Sequence, residues 1–318
     1  MAGITLYYQE KGGIKVSTDL NLLRQKPVPD FVWIDMNNVS RATEETLEDI
    51  LKIYILEDWE IKEIESSSRY SESEEYTVTN SNFLQLTHDG FREENVSFIL
   101  KNNMLISVRD CDLRSFSETE RKVVTSPHLY ASGFSILVTL MATRIDYDAD
   151  LIENITREIS ELSRSMTAAR EVDGELIHKI KNLQEKSMTL LETLIDKQRV
   201  ISSMLKSVRF PADGKPVLAI VISDINSLIE YSKFNFERLE YLQDTLLGMV
   251  NMEQNKIIKI FTVVTIIFMP PTLVASIYGM NFDHLPGAHF GPGFYMAIIV
   301  MIIASAGMLW FFRRKKWL

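Results

Sequence analysis

The sequence predicts an α+β domain, a sheet covered by helices, followed by long coiled-coil-like helices and a two-helix C-terminal transmembrane hairpin. Three observations predict it. Short β-type runs alternate with helical spacing only up to about residue 126. From 217 to 269 there is no proline and a single glycine, Gly248, and apolar residues recur at 4,3 spacing. Two long uncharged segments then close the chain. The implied division is 1–126, an α/β domain; 127–216, a helical hairpin region; 217–281, a stalk helix entering the membrane at about 260–280; 282–289, an outer loop; 290–312, a second span; and 313–318, a basic tail.

In the first part, 4–8 and 31–35 (FVWID) are β-type runs, and 41–55 carries helical spacing. Residues 78–86, 96–100 and 104–108 read as strands, the last two as a hairpin about Asn102-Asn103. Residues 68–75 read as a polar loop. Beyond 126 the pattern is helical. Breaks at 172–174 and 211–216 (PADGKP) separate helices expected at 151–170, 175–207 and 217–278. The last, about 62 residues long, would extend on the order of 90 Å. Its stripe is Leu218, Ile222, Ile225, Ile229, Phe236, Leu239, Leu246, Val250, Ile257 and Ile260, with Ser232, Gln243 and Glu253 in the gaps.

Of 318 residues, 43 are acidic and 34 basic. Residues 260–318 hold one acid and four bases, so residues 1–259 carry 42 acids and 30 bases, net −12. An acidic body argues against nucleic acid as a partner and suits cations. A single cysteine, Cys111, allows no internal disulfide. No basic stretch followed by an apolar run opens the sequence, so no secretory signal is expected. HExxH, a Cys–His cluster and GxxxxGK are all absent, which gives no support to an enzyme or an ATP-driven pump.

Residues 260–280 form 21 uncharged positions, and 290–312 form 23. At about 1.5 Å per residue each reaches across a hydrocarbon core of about 30 Å. Lys256 and Lys259 precede the first span, and Arg313, Arg314, Lys315 and Lys316 follow the second. The connecting loop has no Lys or Arg, so both termini are expected in the cytoplasm and the bilayer lipid is a partner. Two spans cannot enclose an aqueous path. Conduction would need a ring of identical subunits, one helix from each around the axis.

A second stripe on the long helix reads Asp244, Leu247, Asn251, Asn255, Ile258, Phe261, Thr265, Met269, Thr272 and Ser276. Apolar girdles alternate with hydroxyls along it. Periodicity alone is satisfied equally by pore lining and by helix packing. Pro270 and Pro271 remove backbone donors in mid-span, reading either as a tolerated kink or as a flexing point.

The first span closes on Tyr278-Gly279-Met280-Asn281. With two terminal spans, an acidic body and the basic end RRKKWL, this resembles the CorA family of divalent-cation transporters. The likeness is specific over about the last 70 residues, above all 253–282. The resemblance implies a homopentameric funnel in the bacterial inner membrane. Gly279, Met280 and Asn281 would form its outer entrance, with Asn281 presenting neutral carboxamide oxygens to hydrated Mg²⁺. Such a ring avoids stripping an ion that loses water reluctantly. Asn251 and Asn255 fall on its pore face with Thr265, Thr272 and Ser276; Ile258, Phe261 and Met269 match hydrophobic constrictions, and Asp244 an inner acidic ring. Arg313–Lys316 would form a basic cytoplasmic ring. Mg²⁺ would be both cargo and regulatory ion, with carboxylates of the acidic body, unassigned to positions, closing the pore; no organic cofactor is implied.

Co²⁺ and Ni²⁺ are expected as further cargo. The outer loop carries one acid, Asp283, where many members carry two, and adds His284 and His289, which read as ordinary loop polar residues or as ligands for softer metals. A zinc-transporting relative and a non-conducting tether or sensor are the alternatives. Met280 favours Mg²⁺ over zinc, and the hydroxyl-punctuated stripe is not what a tether needs.

Overall fold

The computed structural model describes residues 3–57, 60, 69–87, 90–168, 174–212, 214–280, 286 and 291–315. Contacts divide the chain into two units, Met1–Ala168 with Gly174–Leu242, and Ala169–Asp173 with Gln243–Leu318.

The first unit opens with β1 (Gly3–Glu10) and β2 (Gly13–Ser17), then α1 (Leu22–Gln25), β3 (Phe31–Asn37) and α2 (Arg41–Leu51). The strands β4 (Tyr70–Glu72), β5 (Tyr76–Thr87), β6 (Gly90–Lys101) and β7 (Met104–Arg109) follow. They join in one seven-stranded sheet of order β2-β1-β3-β7-β6-β5-β4. Among the described residues, only β3 and β7 pair in parallel. β3 is central and buried at every position, so FVWIDMN reads as one apolar run rather than an alternation. The β1–β2 and β6–β7 hairpins are built by residues that accept positive φ: Lys11 (49°) with Gly12 (81°), and Asn102 (48°) with Asn103 (69°). Positive φ at both central positions matches the twist of paired strands.

Each face of the sheet has its own cover. On one, Leu6, Ile34, Met36, Ile99 and Ile106 pack with Leu47 and Leu51 of α2. On the other, Tyr7 stacks on Trp33 with ring centres 4.4 Å apart, and Phe98 stacks on Phe116 of α3 (Arg114–Thr125).

Three helices complete this unit: α4 (Gly133–Ala168), α5 (Gly174–Lys206) and the first part of α6 (Lys215–Tyr278). α4 starts 18 residues before the expected 151, directly on the β6–β7 hairpin. Gly133 donates its N–H to Asn103 O at 2.6 Å, and a Cβ there would stand 2.2 Å from Leu105 N. Glycine is what lets the helix start in contact with the hairpin backbone.

Several other details differ from the sequence reading. β2 was unforeseen, and part of the expected 68–75 loop is the short strand β4. The helix expected over 41–55 stops at Leu51, where Lys52 turns left-handed (φ 52°) and Ile53 and Ile55 drop into the core. Within the first unit the buried face of α6 is Leu218, Val221, Ile225, Ile229, Ser232, Asn235, Leu239 and Leu242. Val221, Asn235 and Leu242 replace the expected Ile222, Phe236 and Gln243. The face is centred between two helices rather than on one: Ser232 donates to Ser187 O of α5 at 3.3 Å, and Asn235 to Thr156 Oγ1 of α4 at 2.8 Å.

The second unit holds the rest of α6 and the helix α7 (Gly293–Arg314). Each carries a long, nearly uncharged apolar stretch in which no residue is buried by protein. They are therefore not core helices of a soluble fold; the apolar surface they present suits lipid.

Candidate functional site

The question left open by periodicity is which side of α6 faces its partner helix. Val263, Ile266, Ile267, Pro270, Pro271 and Val274 are half-buried, and so are Met301, Ala304, Ser305 and Leu309 of α7. One hydrogen bond fixes the contact: Ser305 Oγ donates to Ile267 O at 2.9 Å. At about 100° per residue, Phe261, Thr265, Met269, Thr272 and Ser276 lie about 120–200° around the helix from Ile267. All five are exposed, as are Ile258, Asn255, Asn251 and Asp244. The stripe singled out in the sequence is thus the face that α7 does not cover. Thr265, Phe268, Met269, Thr272, Leu273 and Ser276 line one open groove along it.

The hydroxyls on this face have a defined polarity. Thr265 Oγ1 donates to Phe261 O at 2.9 Å and Thr272 Oγ1 to Phe268 O at 2.7 Å. Each proton is committed to the helix's own backbone, and the oxygen lone pairs remain. The face therefore offers neutral acceptors suited to the outward-pointing hydrogens of a cation's water shell.

At its far end α6 closes at Tyr278, whose hydroxyl donates to Pro286 O at 3.0 Å, tying the helix end to the following loop. Gly279 continues the turn with N–H bonded to Ala275 O at 2.8 Å, and an added Cβ would stand 3.1 Å from that same oxygen. Small size, not a left-handed backbone, is what the position uses. Met280 is half-exposed. Asn281, Asp283, His284 and His289 lie outside the described residues, as does Lys316. Arg313 and Arg314 form the last turn of α7 and Lys315 follows as its cap. The Arg314 guanidinium lies 5.3 Å from the Trp310 ring centre. Among the described residues no three His, Cys, Asp or Glu side chains converge to hold a metal ion.

Two contributors escaped the sequence reading, Ser305 and the Tyr278–Pro286 tie. A lone serine in an otherwise apolar span was the available signal for Ser305; nothing in the sequence marks the tie.

Comparison with known proteins bears on the whole layout. A family model described as CorA-like Mg²⁺ transporter protein matches residues 29–314. A magnesium transport protein CorA of Wolinella succinogenes is 36% identical, covering 91% of this chain and 92% of the relative. One from Campylobacter jejuni is 32% identical over 98% of this chain and 99% of its own. Among solved structures, the complete CorA magnesium transporter of Methanocaldococcus jannaschii superposes with a TM-score of 0.84 at 20% identity, covering 100% of this chain and 99% of the other.

Proposed function

Because the chain belongs to the family of CorA-like Mg²⁺ transporter proteins, we propose that it carries Mg²⁺ across the bacterial inner membrane as a channel-like homopentamer. Family members are transporters and not enzymes, and the two apolar helices form a membrane hairpin behind a cytoplasmic N-terminal domain.

The observation that carries the reading is the uncovered stripe on α6. A face left bare by its own chain, apolar in girdles yet studded with hydroxyl acceptors, does not suit lipid. Placed around a shared axis it becomes the wall of a path. Asn281 rings the outer entrance with carboxamide oxygens that hold the hydrated ion, on a helix end closed by Gly279 and Met280. Thr272 and Thr265 continue the row of acceptors inward, and Asn255 and Asn251 follow. Met269, Phe261 and Ile258 form apolar collars that close by dewetting. Asp244 gathers cations at the inner mouth. A divalent ion entering an inside-negative cell gains about 4.6 kcal/mol per 100 mV, twice the single-charge value, so no ATP is needed. Cytoplasmic Mg²⁺ bound by carboxylates of the acidic body closes the path, and Co²⁺ and Ni²⁺ pass as alternative cargo.

The test is Mg²⁺ influx into liposomes holding the purified protein, with a magnesium dye inside and an imposed inside-negative potential. Influx that rises with the potential and collapses in Asn281→Ala is expected. Zn²⁺ uptake without Mg²⁺ uptake would shift the cargo, and no flux of any ion from folded oligomer would leave a tether.

A further inference from the structure

Pro271 lacks a backbone N–H, so the carbonyl four residues earlier, that of Ile267, loses its helical donor. In the hydrocarbon region a carbonyl without a donor is expensive, because no water is at hand to replace it. Ser305 supplies the missing donor from the neighbouring helix, Oγ to Ile267 O at 2.9 Å. The choice is specific. Thr262, Thr265 and Thr272 all spend their hydroxyl protons inside their own helix, on carbonyls that already have backbone partners within reach. Ser305 instead reaches across to the one carbonyl that Pro271 sets free.

The bond also has a telling place. Ile267 precedes Met269 by two residues and lies on the opposite side of α6, so the bond holds the back of the helix at the level of that apolar collar. A proline pair with two unfilled donor positions is where the helix bends most easily. Whatever satisfies the freed carbonyl decides how far it bends.

We propose that Ser305 is a positioning residue for permeation: it replaces the N–H that Pro271 lacks, holds the Pro270–Pro271 bend against α7, and thereby sets the collar at Met269. The proposal rests on the transport reading above. An unpinned bend would let the five Met269 side chains of that collar lose register, and conduction needs all of them aligned.

The experiment combines Mg²⁺ flux in liposomes with thermal unfolding of the full-length oligomer in detergent, for Ser305→Ala and Ser305→Thr, and for Ser305→Ala with Pro271→Ala. Ser305→Ala is expected to lower flux about 3- to 10-fold per folded oligomer, the range a membrane hydrogen bond supports. Ser305→Thr, which keeps the hydroxyl, stays within about twofold of the parent. The unfolding midpoint falls in Ser305→Ala, but not when residue 271 is alanine, whose N–H again serves Ile267 O. Parent-like flux in Ser305→Ala would overturn the proposal. So would an equal loss of midpoint in both backgrounds, since the hydroxyl would then act elsewhere. A parent that moves no Mg²⁺ would overturn the transport reading and the positioning role with it, while coupled midpoints would still establish the bond.

Discussion

Lys197 Nζ lies 3.1 Å from Asp148 Oδ2, and neither side chain touches solvent. Arg144 engages the other oxygen of the same carboxylate and is itself buried. One acid thus serves two buried cations, all between α4, α5 and the sheet. The surplus positive charge sits over Phe83, whose ring centre is 4.9 Å from the Arg144 guanidinium and 5.8 Å from Lys197 Nζ. An aromatic face offsets only part of the desolvation cost. Burial pushes Lys197 down to about 8, with Asp148 pulling the other way.

Two outcomes follow from that cluster. Asp148→Asn removes the counter-charge of two buried cations and should destabilise the protein by about 3–5 kcal/mol, whereas Lys197→Met should be neutral or stabilising near pH 7. The pH dependence has a definite sign. Folded Lys197 binds less proton than the unfolded chain between about 8 and its ordinary value near 10.5, so its contribution to stability rises with pH across that window. Below it the penalty is constant. Midpoints measured from pH 7 to 10 should show this rise in the parent, and Lys197→Met should remove it.

A second buried pair gives a contrasting prediction. Arg109 grips Asp35 with two nitrogens, at 3.2 and 2.7 Å. Ser107 donates to the same carboxylate at 2.7 Å, and Trp33 Nε1 donates to Ser107 at 2.9 Å. Here the charges balance and the geometry is bidentate, so neither partner is surplus. Arg109→Met should cost about 3–5 kcal/mol by stranding the carboxylate, and adding Asp35→Leu should recover part of it. Denaturant midpoints with Trp33 fluorescence as probe would read both.

These networks were invisible in the sequence, for a physical reason. Asp35 ends the apolar run FVWID and could have been its solvent-facing edge; Asp148 and Lys197 sit in charge-dense helices whose members are mostly exposed. Pairing across 49 residues leaves no local trace. The membrane spans were legible because their signal is local, a long absence of charge. The uncovered stripe on α6 was legible because helical spacing alone defines a face. What that face met was not legible, since packing and pore lining share one period. The slip from Ile222 to Val221 and from Gln243 to Leu242 has the same origin: two neighbouring helices broaden the buried face beyond a strict 4,3 repeat. The start of α4 at Gly133 was missed because 134–141 (FSILVTLM) is too uniformly apolar to show a helical face.

On the uncovered stripe, Thr272 should contribute through its oxygen and not its shape. Its proton is held by Phe268 O, so on the proposed reading the lone pairs are what it would offer a hydrated ion. Thr272→Val keeps the volume and deletes the acceptor. With five copies changed at once, Mg²⁺ influx should fall at least about tenfold, since each net hydrogen bond is worth about 1 kcal/mol. Thr272→Ser should conduct nearly as the parent does. Equal loss in both variants would mean that the methyl group matters, and that this face packs rather than conducts.

Met269 makes the opposite prediction, because an apolar collar works by refusing water. The side chain is exposed on the uncovered face, flanked by Thr265 and Thr272. If five copies of this side chain close on one axis, the narrow apolar gap would empty of water and stop a hydrated ion without touching it. Met269→Asn places carboxamides there, on a side chain one bond shorter, and lets water stay. Basal Mg²⁺ influx should rise, about tenfold or more, and inhibition by Mg²⁺ loaded inside the vesicles should weaken, because closure no longer dries the path. Met269→Leu preserves the apolar collar and should leave both properties near the parent. The pair of measurements separates gating from selection: a leak that admits Mg²⁺ but still depends on Asn281 places the gate at Met269 and the filter at the entrance. Reduced influx in Met269→Asn, with oligomer intact, would instead mean that methionine at this level supports the open path.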